Sequence, residues 1–240
     1  MKQIVLITDG CSNVGMEPAA AAALASEAGI AVNVIGVVDE GKLGELGSAE
    51  IAAIAAAGGG ISRIVQPRML SRTVRMVTQQ TVSMTVRQAV NRELQQIAGI
   101  ADLLQLPPEE RGAVVEKIDD LTDGTPLKVL LLVDASASMR NKITAVQEAA
   151  RDLMASLKAR SGPSELAVLH FPGNRGEEVE IDAWWTSELE NTAKMFYNIN
   201  MKGTTPTGPA ILRAIRLFDP DAVSLQEPEG SGGLWSDYVV

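Results

Sequence analysis

Cysteine is almost absent from this chain: Cys11 stands alone among 240 residues. A single thiol excludes an internal disulfide framework and any zinc site built on clustered cysteines. Histidine also occurs once, as His170, inside an apolar run where it reads as a satisfied strand-end residue rather than a ligand. Aromatics make up only 3%, yet 46% of residues are hydrophobic, so the core must be built from Val, Leu, Ile, Ala and Met. No secretory leader and no apolar stretch of about 18 residues is present, so a soluble, cytoplasmic protein with no membrane partner is expected. Acids outnumber bases, 30 to 21, and the net charge of −9 argues against general nucleic-acid binding. A phosphate loop is missing too. Gly58-Gly59-Gly60 is followed by no Lys-Ser/Thr and ends a predicted helix rather than beginning one.

The bases that are present cluster. Arg63, Arg68, Arg72, Arg75, Arg87 and Arg92 fall between positions 61 and 92 without one acid. They read either as a solvated helix face or as a docking surface for an acidic partner.

The chain opens on an unbroken apolar run, Ile4–Thr8, of the kind that forms a strand covered on both faces. A predicted helix over Pro18–Ala28 stops at Gly29. A strand over Ile30–Val38, a helix over Ser48–Ala57 and a short strand over Ile61–Val65 follow. This alternation predicts a parallel sheet with helices on its faces. From Arg68 to about Ile100 the apolar period is helical, with a phase slip near 82–86 that admits two helices in place of one. Pro108 starts a helix to Leu121, and Asp123-Gly124-Thr125-Pro126 reads as a turn.

The pattern then begins again. Lys128–Val133 is a predicted buried strand and Asn141–Leu157 an amphipathic helix. Glu165–Phe171 and Val179–Trp185 flank a Pro-Gly-Asn turn, which predicts a hairpin and one antiparallel edge; Trp184 and Trp185 then face opposite sides. Glu188–Tyr197 and Pro209–Phe218 are predicted helices, and 219–240 a loose tail.

Two of the buried strands end in an acid followed by a small polar loop: Asp9-Gly10-Cys11-Ser12-Asn13 and Asp134-Ala135-Ser136-Ala137-Ser138. In an open parallel sheet the C-terminal strand ends share one edge, where ligands bind. Two carboxylates with hydroxyls and no histidine suit Mg²⁺ or Mn²⁺ rather than zinc. The plain alternative is that the same Ser and Asp residues cap helices.

Asp134-x-Ser136-x-Ser138 after a buried strand resembles the metal-ion-dependent adhesion site of the von Willebrand factor type A (VWA) domain. That site also takes a threonine from a Gly-x-Thr loop, matched by Thr205 in Gly203-Thr204-Thr205, and an aspartate from Thr-Asp-Gly, matched by Asp9. The order departs from the family's, because the last third of the domain comes first. The sequence therefore looks like a circularly permuted VWA domain, which is why it starts on a central strand. The resemblance implies an α/β, Rossmann-like fold: a mostly parallel central sheet with one antiparallel edge strand, helices on both faces and a helical connector. Residues 1–80 would be the C-terminal portion, 81–126 the connector, 127–218 the N-terminal portion of the same compact domain, and 219–240 a flexible tail.

It also implies roles. Ser136 and Ser138 would ligate Mg²⁺ or Mn²⁺ directly, Thr205 directly or through water, and Asp134 and Asp9 mainly through water. A position stays open for an Asp or Glu of a protein partner. The expected function is thus metal-dependent protein binding, not catalysis, by a monomer or swapped dimer. Similar proteins imply a bacterial setting, regulatory or linked to sporulation. A Mg²⁺-dependent phosphoryl-transfer enzyme and a swapped-dimer scaffold are the alternatives.

Overall fold

A computed structural model describes residues 1–10, 12–39, 45–99, 105–174, 177–188 and 204–219. The elements in chain order are β1 (Lys2–Thr8), α1 (Pro18–Glu27), β2 (Ile30–Val37), α2 (Glu45–Ala57), β3 (Gly59–Val65), α3 (Leu70–Ala98), α4 (Pro108–Gly124), β4 (Leu127–Asp134), α5 (Ile143–Lys158), β5 (Ser164–Phe171), β6 (Glu180–Thr186) and α6 (Thr207–Phe218). The six strands form one sheet in the order β3-β2-β1-β4-β5-β6. All pairs are parallel except β5–β6. The protein is therefore an α/β fold: a mostly parallel sheet with one antiparallel edge pair and helices around it.

The apolar runs explain the layers. Successive side chains of a strand point to opposite faces, so a strand without polar alternation needs cover on both. Val5, Ile7, Leu131 and Val133 pack on one side with Leu70 and Val74 of α3, Ile118 of α4 and Leu153 of α5. Ile4, Leu6, Leu130 and Leu132 pack on the other with Ala21 and Ala25 of α1, Ile54 of α2 and Ile211 of α6. The alanine-rich α1 starts on Pro18, and the Glu17 carboxylate accepts from the Ala20 amide at 2.8 Å. Gly29, at φ 71°, turns the chain straight into β2.

β1 lies between β2 and β4, with Ile4 opposite Leu130 and Ile7 opposite Val133. The first and last thirds of the chain thus share one sheet. The expected boundary at 80 falls inside α3, a single helix of 29 residues closed by Gly99 at φ 67°. One helix, not two, spans the phase slip because threonines complete its buried stripe: Thr73, Thr78 and Thr81 are buried beside Val74, Val77 and Val82, whereas Met84 is exposed. Thr81 Oγ1 donates to Asn33 Oδ1 at 2.7 Å, and the same oxygen accepts from the Ile61 amide at 2.9 Å. Asn33 Nδ2 donates to Gln3 Oε1 at 3.3 Å, so a polar group on each of two central strands is satisfied beneath α3.

Two boundaries differ from expectation. The glycine run does not only stop α2, because Gly59 and Gly60 already belong to β3. A Cβ on Gly60 would sit 2.2 Å from the Val32 carbonyl oxygen, so the close approach of β2 and β3 requires glycine there. α4 continues through Asp123 and Gly124 instead of turning at them. The predicted helix over Glu188–Tyr197 lies outside the described residues beyond Glu188 itself, as do the tail beyond 219 and Cys11. Trp184 is exposed, while Trp185 is partly buried against Phe218, with ring centroids 4.8 Å apart. No helix among the described residues is long and apolar enough to cross a membrane.

Candidate metal centre

β1 and β4 are neighbours, so their C-terminal ends deliver Thr8-Asp9 and Asp134 side by side. Asp134 is fully buried. Its Oδ2 accepts from the Thr8 hydroxyl at 2.7 Å and its Oδ1 from the Ser136 amide at 2.8 Å. The second bond curls the chain after β4, and a short 3₁₀ turn over Ala137–Met139 follows before α5 begins. The turn brings the Ser136 and Ser138 hydroxyls within 3.0 Å of each other, and Ser138 Oγ donates to Asp9 Oδ1 at 2.7 Å. Asp9, Asp134, Ser136 and Ser138 therefore stand in one network, with Thr8 as a fifth member.

Thr205 joins through its backbone. Its amide donates to Asn13 Oδ1 at 2.8 Å, and its carbonyl accepts from the Ser12 hydroxyl at 3.1 Å and the Asn13 amide at 3.3 Å. These bonds fasten the loop before α6 to the loop after β1. Among the described residues the Thr205 hydroxyl itself bonds to none of the four network side chains.

Two further charged residues enter that sequence reasoning missed. Lys142, just before α5, is buried; its ammonium lies 2.5 Å from Asp9 Oδ2, 3.2 Å from Asp39 Oδ2 and 3.1 Å from the Ser138 carbonyl oxygen. Lys142 lies four residues beyond Ser138, one helical turn on, and that spacing is the only signal it leaves in the sequence. Asp39 leaves none, because its partner is more than 100 residues away.

No family model matches this sequence. The "Uncharacterized protein YabS" of Bacillus subtilis (strain 168) is 45% identical over 220 residues, which is 91% of this chain and 89% of that protein. The chain belongs to the YabS family. A crystal structure of an uncharacterized protein from Alicyclobacillus acidocaldarius subsp. acidocaldarius DSM 446 is 46% identical and superposes with a TM-score of 0.85, covering 91% of this chain and 93% of that one. That superposition takes in most of both chains, so the YabS-family chain shares its α/β fold with that crystal structure.

The electrostatics of this YabS-family centre follow from burial. Removal from water pushes the Asp134 carboxyl above the usual carboxylate range, against the lowering effect of the Thr8 and Ser136 bonds, and the nearby charge of Asp9 pushes the same way. Burial by itself would lower the Lys142 ammonium, but its bonds to Asp9 and Asp39 outweigh this and hold it above the ordinary lysine value. The centre thus holds two acids close together and one lysine that neutralises the outer of them.

Among the described residues no three His, Cys, Asp or Glu side chains gather where a metal ion could be held. The donor set here is different in kind: two carboxylates and neutral hydroxyls, all oxygen, which is the chemistry of a hard divalent cation. Neighbouring oxygens of an octahedral Mg²⁺ at about 2.1 Å lie roughly 3 Å apart. The Ser136–Ser138 separation of 3.0 Å fits that spacing.

Proposed function

We propose that this chain is a circularly permuted VWA domain that binds a protein partner through a divalent metal ion. One observation carries the reading. Asp9, Asp134, Ser136 and Ser138 are joined at adjacent strand ends through the Ser136 amide and the two serine hydroxyls, although more than 120 residues separate Asp9 from the other three. Ser136, Ser138 and Asp9 would hold the metal, with Asp134 behind them and Thr205 on the facing loop. Bound Mg²⁺ or Mn²⁺ supplies a Lewis-acidic centre with a position for a partner's Asp or Glu.

The residues of the chain do the rest. Thr8 and the Ser136 amide fix both oxygens of Asp134, so the buried charge cannot swing away. Asn13 and Ser12 hold the Thr205 backbone and set the distance between the two walls of the site. We read the set as binding rather than turnover, with both acids occupied by bonds to Thr8, Ser136, Ser138 and Lys142; His170 stands apart, its Nδ1 2.7 Å from Asp182 Oδ2 across the β5–β6 pair. The setting we propose is cytoplasmic.

Isothermal titration with MgCl₂ and MnCl₂ tests the reading. The parent should bind one ion, and Ser136→Ala should weaken binding at least about tenfold with an unchanged circular dichroism spectrum. Equal affinity in parent and variant would sink it.

A further inference from the structure

We propose that the outer edge of β3, together with the arginines around it, docks an acidic protein segment that adds to the sheet as an extended strand. The site is separate from the metal centre. It lies along the first edge of the sheet, where no described strand pairs with the outer side of Gly59–Val65. A free edge presents a row of backbone donors and acceptors, which is a template for another strand.

Beside this edge runs an open groove of about 610 Å³ between β3 and the middle of α3, lined by Gly60, Ser62, Arg63, Gln80, Met84 and Arg87. Arg63, Arg68, Arg72, Arg75, Arg87 and Arg92 are all exposed. Among the described residues none of the six takes part in an ion pair. Arg63 donates to the carbonyl oxygen of the residue before it, at 2.8 Å. Ile64, Met69 and Met84 are exposed, Met84 in the groove and Ile64 on the α2 side of β3. A chain of net charge −9 that keeps Arg63 and Arg87 in the groove beside an open strand edge, with Met84 between them and Ile64 on the other side of β3, has a surface complementary to acids interleaved with apolar residues.

The occupant follows from these features. A second copy is disfavoured, because edge-to-edge pairing sets arginine against arginine. Nucleic acid is disfavoured by the overall negative charge and by a groove lined with no aromatic ring on which a base could stack. An extended acidic segment satisfies both the backbone edge and the guanidinium groups. Alternate side chains of the added strand face α3, so acids at every second position reach Arg87 while their neighbours lie over Ile64.

The test uses the full 240-residue chain and a fluorescein-labelled peptide of seven residues alternating Glu with Val or Thr, matching the length of β3. Anisotropy should show saturable binding that high salt weakens and chelator leaves unchanged. Arg63→Glu/Arg87→Glu should weaken it at least about tenfold, and a peptide with Lys in place of Glu should bind that variant instead. A proline at the peptide's centre should also abolish binding, since it removes a ladder donor. Hydrogen exchange should slow at the amides of β3 when the peptide is bound. The proposal fails if the peptide does not bind, if the proline peptide binds equally well, or if the doubly reversed variant keeps its affinity for the acidic peptide. It fails equally if a single-stranded RNA or phosphatidylserine vesicles bind this edge and displace the peptide, or if the chain forms a dimer that Arg63→Glu dissolves.

Discussion

Thr8 and Asp134 lie 126 residues apart in the chain, yet the hydroxyl of one donates to the carboxylate of the other at 2.7 Å. The bond crosses the seam between β1 and β4 and is fully enclosed. Thr8→Val keeps the shape and removes the donor, leaving a buried carboxylate oxygen unmatched. We expect a loss of about 1–3 kcal/mol in urea denaturation, and a further upward push on the Asp134 carboxyl. No change in the urea midpoint would mean that another group satisfies Asp134.

The raised Asp134 carboxyl has a pH signature in metal-free protein. The unfolded chain releases this proton near the ordinary carboxylate value of 3.8, while the folded chain holds it to higher pH. Between those values the folded state binds more protons, so the Asp134 contribution to stability falls as pH rises through the window. Below it, with the acid protonated in both states, the contribution is fully present. Thermal melts in chelator should show this slope in the parent and not in Asp134→Asn. A slope that survives the substitution would have to come from another group.

Lys142 is the internal counter-charge of Asp9, whose side chain is only 3% exposed. Lys142→Met would strand that carboxylate, and loss of one partner from a buried pair costs on the order of 3 kcal/mol. A divalent cation can replace the missing charge. Mg²⁺ should therefore raise the melting temperature of Lys142→Met by more than it raises that of the parent. An equal rise in both would separate Lys142 from the metal centre.

Much of this arrangement was readable from residue order. The buried strands announced themselves as apolar runs, and the two acids at their ends sat where an open sheet collects its ligands. The buried face of α3 was harder to read, because Thr73, Thr78 and Thr81 look polar in a sequence yet are buried; Asn33 accepts the Thr81 hydroxyl, while the Thr78 hydroxyl is enclosed with no partner among the described residues. Lys142 and Asp39 were invisible for a related reason. An isolated charge in a sequence reads as solvated, and only the meeting of α5 with the ends of β1 and β2 encloses this one.

A small residue controls the threonine loop. A Cβ on Gly208 would lie 2.0 Å from the Met16 carbonyl oxygen, so Gly208→Ala must push the start of α6 away from the loop after β1. Thr205 sits three residues earlier and is held by that same loop. Gly208→Ala should weaken Mg²⁺ binding by at least about tenfold through misplacement alone, a loss of the size expected when a supporting group around a metal site is disturbed. Titration calorimetry checks it. Unchanged affinity would show that the position of Thr205 does not matter to the ion.

The seam between β1 and β4 also sets an order of events during synthesis. The first three strands and their helices leave the ribosome with Asp9 in place and nothing opposite it; the apolar flank of β1 waits for β4, 126 residues later at the Thr8–Asp134 bond. Closing so long a loop is entropically slow compared with local pairing. A chain released early therefore carries half a site, and only a finished one has both acids at the same strand ends.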